Sequence, residues 1–178
     1  MTQHDIDIAP PTAPVDAPLL DRVLRPYRSK NCTYLQSLRT GNDQGIVRGE
    51  GDFAIPQSCY IDDTGHLNAA EVIICFNQVL YTLLAVSIRD RLIPALADWT
   101  EDEYWARQLD GVLITRQSTT FTRPISPRAF HGEVVFGQAL TGRVVGSAQP
   151  LVSLQTRFRF GDDDGGACHG EVRVAVVR

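Results

Sequence analysis

The sequence predicts an α+β domain in which one antiparallel sheet wraps a single long hydrophobic helix. Three observations carry this. One apolar helical stretch runs from Leu67 or Asn68 to about Leu92, two strand-like segments precede it, and Val112 to Val177 is β-like. At 178 residues the chain fits one domain and can bury a core without staples. Its 43% hydrophobic and 21% charged residues are ordinary for a globular protein.

Residues 1–17, with IAPPTAPVDAP and His4, read as a disordered or extended arm, and residues 18–178 as a single domain. The arm has no apolar h-region, so no signal peptide is expected. LLDRVLR, Leu19 to Arg25, should form a short helix stopped by Pro26, which lacks an N–H and crowds the preceding turn. Strands are expected over Thr33–Thr40 and Gly45–Ile55, separated by the turn signal GNDQG. Arg48, Glu50 and Asp52 suit the second to a half-exposed face. After the long helix, Pro94 marks its end, and Thr100 with Glu103 makes a capping box for TEDEYWARQLDG, closed by Gly111.

Four β-like stretches follow: VLITRQSTTFTRPI, FHGEVVFGQAL, RVVGSAQPLVSLQTRFRF and ACHGEVRVAVV, with DDDGG as the last hairpin turn. LQTRFRF and EVRVAVV alternate strictly, so one face is wet and one packed. One sheet with its helices grouped together is α+β. A sheet around one central helix is the hot-dog arrangement; a cone-shaped α+β ligand-binding fold is the alternative. The hot-dog arrangement implies a homodimer or higher assembly, in which strands pair into a continuous sheet and the partner walls an acyl tunnel.

A formal charge of −4 and a pI near 5.5 argue against nucleic acid as a partner. Cys32, Cys59, Cys75 and Cys168 show no CxxC pairing and no metal-ligand spacing. Cys75 reads as a small buried hydrophobe. The longest apolar run, Val72 to Ile88, contains Asn77, Gln78 and Thr82, which speaks against a membrane span. The cytoplasm is the expected compartment.

The stretch YIDDTGHLNAAEVIICFNQVLY, Tyr60 to Tyr81, holds the candidate site residues. Each polar group buried in so apolar a helix costs roughly 1–3 kcal/mol unless it finds a partner. At 100° per residue, Asn68, Glu71, Cys75 and Gln78 fall within about 80° of one another. Asn77 and Tyr81 share a second stripe roughly 120° from Glu71.

Glu71 sits in the first turn, where the helix dipole favours its charged form. His66, in the turn DDTGHLN, is placed to fold back over the helix start toward Glu71, and such a pair makes a general base for neutral pH. Free N–H groups at that start can polarise a thioester carbonyl. The structural reading stays open beside this: His66 caps the helix, Glu71 completes a capping box with Asn68, Asn77 and Gln78 are structural, and Tyr27, Tyr60 and Tyr81 are core-edge residues.

His131 and His169 lie in strands without a visible partner, and there is no GxSxG, P-loop, GxGxxG or HExxH. Arg116, Arg123 and Arg128 are either contacts for a phosphorylated carrier or plain solvated charges.

The pieces VLRPY, NCTYL, SCYIDDTGHLNAAEVIICFNQVLY, WTEDEYWARQL and FTRPISPRAF, between Val23 and Glu133, resemble the FcoT-type family of hot-dog thioesterases. The family holds long-chain acyl-CoA thioesterases. It also holds enzymes of isonitrile lipopeptide and β-amino-acid biosynthesis that add glycine to a 2-enoyl thioester on an acyl carrier protein and then hydrolyse it. The resemblance implies pocket roles for Tyr27, Tyr60 and Asn77, with Asn68 and Tyr81 beside them. It implies catalytic roles for His66 and Glu71. Glycine addition followed by hydrolysis is the expected activity, needing no metal or organic cofactor. Plain hydrolysis of an acyl-CoA or acyl-carrier thioester is the alternative, and an inert lipid-binding protein the rival from another class. Lys30, Arg39 and Arg116 are the cations considered for the glycine carboxylate.

Overall fold

The computed structural model describes residues 10–178; residues 1–9, with His4 and much of the expected arm, lie outside the described residues. Where the arm is described it is extended: Ala13–Pro14 (β1) pairs antiparallel with Arg39 and Thr40. Helix α1, Ala17–Arg28, starts at Asp16, whose carboxylate accepts the Leu19 N–H at 2.9 Å. It runs through Pro26 rather than stopping there. Only the last turn lies beyond that residue, so the missing N–H removes a single bond, at an exposed edge.

Strands β2 (Leu35–Asp43) and β3 (Ile46–Phe53) form the first hairpin. The central helix α2 spans Ala69–Arg89, and the capped α3 spans Glu101–Arg107. The rest is β4 (Val112–Arg123), β5 (Phe130–Arg143), β6 (Pro150–Gly161) and β7 (Ala167–Val177). The third expected β stretch divides differently. Arg143 belongs to β5, and the turn around Gly146, at φ +76°, precedes β6.

Among the described residues the seven strands form one sheet in the order β1-β2-β3-β5-β6-β7-β4, antiparallel throughout. The sheet holds α2 against one face. Length and apolarity would let α2 cross a membrane, but every residue from Gln78 to Ile88 is buried inside the domain. Glycines let helix and sheet approach. A Cβ on Gly49 would lie 2.9 Å from Leu83 of α2, and one on Gly132 or Gly170 would collide with Phe160 or Phe158. Phe53, Phe130, Phe158 and Phe160 pack ring on ring, and Phe76 of α2 meets Phe158 at 5.6 Å.

Gln78 locks the helix to the sheet. Its side-chain oxygen accepts the N–H groups of Tyr34 (3.0 Å) and Leu35 (2.8 Å), and its amide nitrogen donates to the Cys32 carbonyl at 2.6 Å. All of this is buried, which settles Gln78 as structural. At the far edge β4 pairs only with β7, and its exposed residues include Leu113, Ile114 and Phe121.

Gln78→Leu keeps the volume but strands two N–H groups and a carbonyl. We expect a loss on the order of 3 kcal/mol, read as a lower urea midpoint at unchanged m-value.

Candidate active site

The segment leading into α2 is held from both sides. The Arg128 guanidinium donates to the carbonyls of Ile55 and Pro56 and pairs with the Asp63 carboxylate. The Leu67 N–H reaches the Ile125 carbonyl at 2.9 Å. Gly65 turns the chain at φ +77°, which suits a residue without Cβ. Asn68 then caps the helix: its side-chain oxygen accepts the N–H groups of Ala70 (3.0 Å) and Glu71 (3.1 Å) and the Tyr60 hydroxyl (2.6 Å). Glu71 completes the box by accepting the Asn68 N–H at 3.3 Å. Among the described residues the Asn68 amide nitrogen is buried without a partner.

Glu71 is only 3% exposed. Two neighbours sense its charge. The Tyr60 phenol is raised above its ordinary range, first by desolvation and then by the Glu71 carboxylate. The Cys75 thiol, fully buried, is pushed up by burial first and Glu71 second. Tyr60 itself is 53% exposed, so its ring faces outward while its hydroxyl is tied to the cap.

His66 is exposed, and its Nδ1 lies 3.0 Å from the Thr64 carbonyl. Among the described residues no hydrogen bond or ion pair joins it to Glu71, because the tight Asp63–Gly65 turn folds the ring back over its own backbone. His66, Leu67, Asn68 and Ala69 form one wall of a pocket of about 340 Å³; Phe121, Thr122, Arg123 and Pro124 form the other. Glu71 lies one turn further along α2, outside this lining.

The remaining candidates lie along the helix. Tyr27 of α1 and Tyr81 have ring centroids 6.5 Å apart, and burial raises both phenols. Tyr104 donates to the Tyr81 carbonyl at 2.6 Å. Asn77 is half-buried, and its side chain makes no hydrogen bond among the described residues. It belongs to an incompletely covered strip of α2, with Ala69 and Ala70 exposed and Ile73 and Ile74 half-buried. The structure therefore joins Tyr60, Asn68 and Glu71 directly, sets His66 on the rim, and places Tyr27 and Tyr81 deeper.

A larger concavity of about 750 Å³ lies on the sheet face turned away from α2. Its walls include the cross-strand row Arg39, Glu50, Glu133, Arg159 and His169, together with His131. None of the candidate site residues reaches it, and Arg39 belongs there, 3.9 Å from Glu50. Lys30 and Arg116 are exposed outside both pockets. Among the described residues no group of His, Cys, Asp and Glu is placed to hold a metal ion. Sequence reasoning missed Phe121 as a pocket wall. Its signal was a large aromatic standing alone in the polar run TRQSTTFTR.

Residues 22–176 match the family described as the FcoT-like thioesterase domain. A relative from Streptomyces coeruleorubidus named (2E)-enoyl-[ACP] glycyltransferase is 43% identical over 162 residues, covering 91% of this chain and 97% of its own. One of the same name from Mycobacterium marinum is 37% identical, covering 93% and 89%. The crystal structure of a putative thioesterase from Shewanella oneidensis superposes with a TM-score of 0.51 at 10% identity, over 92% of this chain and all of that one. Its likeness supports the hot-dog fold.

Asn68→Ala removes both cap bonds and the Tyr60 anchor. We expect about 1–2 kcal/mol lost, with Asn68→Asp nearly neutral. A double-mutant cycle with Tyr60→Phe should be non-additive in urea unfolding.

Proposed function

Because the chain belongs to the FcoT-like thioesterase family, we propose that it adds glycine to the β-carbon of a 2-enoyl fatty thioester on an acyl carrier protein. Hydrolysis then releases a 3-[(carboxymethyl)amino] fatty acid, a building block of secondary metabolites such as isonitrile lipopeptides. The observation that carries this reading is a carboxylate, Glu71, buried in the first turn of the central helix, whose leading residues His66 to Ala69 wall an open pocket. The name borne by the relative at 43% identity supports it.

In this reading Glu71 takes a proton from the glycine ammonium, assisted by His66 after its ring turns from the Thr64 carbonyl. The amine nitrogen bonds to the β-carbon, and the electron pair moves onto the thioester oxygen. The Ala69 N–H at the start of α2, with the Tyr60 hydroxyl once it turns from Asn68, stabilises that enolate. Glu71 returns its proton to the α-carbon, which restores the carboxylate and leaves the new C–N nitrogen as a secondary ammonium. Glu71 then draws a proton from water, hydroxide attacks the thioester carbon, and the carrier leaves as its thiol. Every step is proton transfer or addition, so no metal, redox group or organic cofactor is needed.

The uncovered strip of α2 and the unpaired β4 edge support a homodimer or higher assembly in which a second copy extends the sheet and roofs an acyl tunnel. Tyr27, Tyr60, Asn68, Asn77 and Tyr81 would line the route of the acyl chain. A cytoplasmic location accords with four free thiols, and neither nucleic acid nor membrane is a partner in this reading. The family's description as thioesterases favours a second reading, hydrolysis alone of a carrier or coenzyme A thioester.

Incubating the protein with a 2-enoyl carrier thioester, with and without glycine, separates the readings by mass. We expect the glycine adduct as the released acid; equal amounts of free enoic acid in both reactions would leave hydrolysis alone. Glu71→Gln should lower turnover roughly 100-fold or more, and wild-type turnover in that variant would remove Glu71 from the mechanism. Light scattering should report at least twice the 19.7 kDa chain mass, with Ser118→Pro on β4 shifting it toward a monomer.

A further inference from the structure

We propose that the ring of Phe121 holds the planar enoyl group of the acyl thioester and so selects 2-enoyl over saturated chains. The assignment rests on the reading above, in which the thioester enters the pocket at the start of α2. Of the seven phenylalanines six are buried in the core, and Phe121 alone is exposed, at 42%. It has no aromatic partner among the described residues. Instead it lines the 340 Å³ pocket, on the wall opposite Asn68 and Ala69.

Phe121 stands on the helix side of the sheet. Across the ladder it pairs with Cys168, which is buried and close enough to Cys75 of α2 to act on its thiol. The end of β4 is held in place around it. The Thr122 hydroxyl donates to the Ala167 carbonyl at 2.9 Å, and the Leu67 N–H reaches the Ile125 carbonyl at the same distance. The unpaired edge of β4 suggests another use for an exposed ring, contact with a second copy. Strand pairing there engages N–H and C=O groups in the plane of the sheet, whereas side chains leave that plane at right angles. The ring is therefore left facing the pocket.

On the helix wall the Ala69 N–H makes no hydrogen bond among the described residues. A thioester oxygen that takes this N–H sets its α- and β-carbons in a space walled by Leu67, Phe121 and Pro124. The C=C–C=O unit of a 2-enoyl thioester is flat and conjugated, so it can lie offset on the face of an aromatic ring. A saturated chain carries hydrogens above and below the same two carbons and cannot lie flat. The ring thus reads the double bond that the addition consumes, while leaving the other face of that bond open to the amine.

The test is release of carrier thiol from 2-enoyl and saturated carrier thioesters of equal length, with glycine present, for wild type, Phe121→Leu and Phe121→Ala. Products are identified by mass. Phe121→Leu keeps apolar bulk but loses the flat face. It should lower kcat/KM for the 2-enoyl substrate roughly 2- to 10-fold more than for the saturated one. Phe121→Ala should lower kcat/KM for the 2-enoyl substrate roughly 10- to 100-fold, with the KM for glycine little changed. Equal losses on both substrates in Phe121→Leu, or no loss on either, overturn the assignment. So does a fall in assembly mass by light scattering in either variant, which would make Phe121 a contact between copies. A wild-type protein that releases thiol from both substrates but never forms an adduct removes glycine addition alone. The ratio between the two substrates then still decides whether Phe121 reads the enoyl group. Matching melting temperatures for the three proteins confirm that folding is not what changed.

Discussion

One buried amide sets where everything else sits. Three backbone groups between Cys32 and Leu35 have no strand partner, and Gln78 answers all of them from the middle of α2. An amide has one accepting and one donating end, so this pairing fixes both the height and the rotation of the helix against the sheet. Two turns upstream on the same face, Glu71 and Asn68 inherit that rotation. The pocket between the helix start and β4 is thus placed by a contact some distance from it.

Much of this was legible in the residues, and the legible parts share a cause. Strict alternation in LQTRFRF matches β6, and that in EVRVAVV matches β7 as far as Val174, because side chains on a strand point alternately to its two faces; Ala175 breaks the pattern by being buried between Val174 and Val176. The capping boxes at Thr100 and at Asn68 are local chemistry, complete within four residues. What was not legible depends on partners distant in sequence. The pairing of Ala13–Pro14 with β2 needs the β2 edge to be free. The turn of His66 toward Thr64 is decided by the tight bend at Gly65 and not by the helix it precedes. Phe121 and Arg123 meet the helix start only because Leu67 bonds to Ile125.

Glu71 is a capping residue, and the base in the proposed reaction. As a capping residue it accepts the Asn68 N–H, yet at 3.3 Å this is the longest bond of the box. The firm contacts run through the Asn68 side chain, which also receives Tyr60. The carboxylate is therefore the least committed member of the group that orders the helix start.

The glycines facing α2 carry a different consequence. Any side chain at Gly132 or Gly170 would overlap the rings of Phe160 or Phe158, and one at Gly49 would press on Leu83. The sheet is therefore frozen as a floor. Over generations, drift in the shape or depth of the space beside the helix must come through the uncovered strip around Ile73, Ile74 and Asn77, or through whatever surface is laid on it. Diversification in this architecture has one open side.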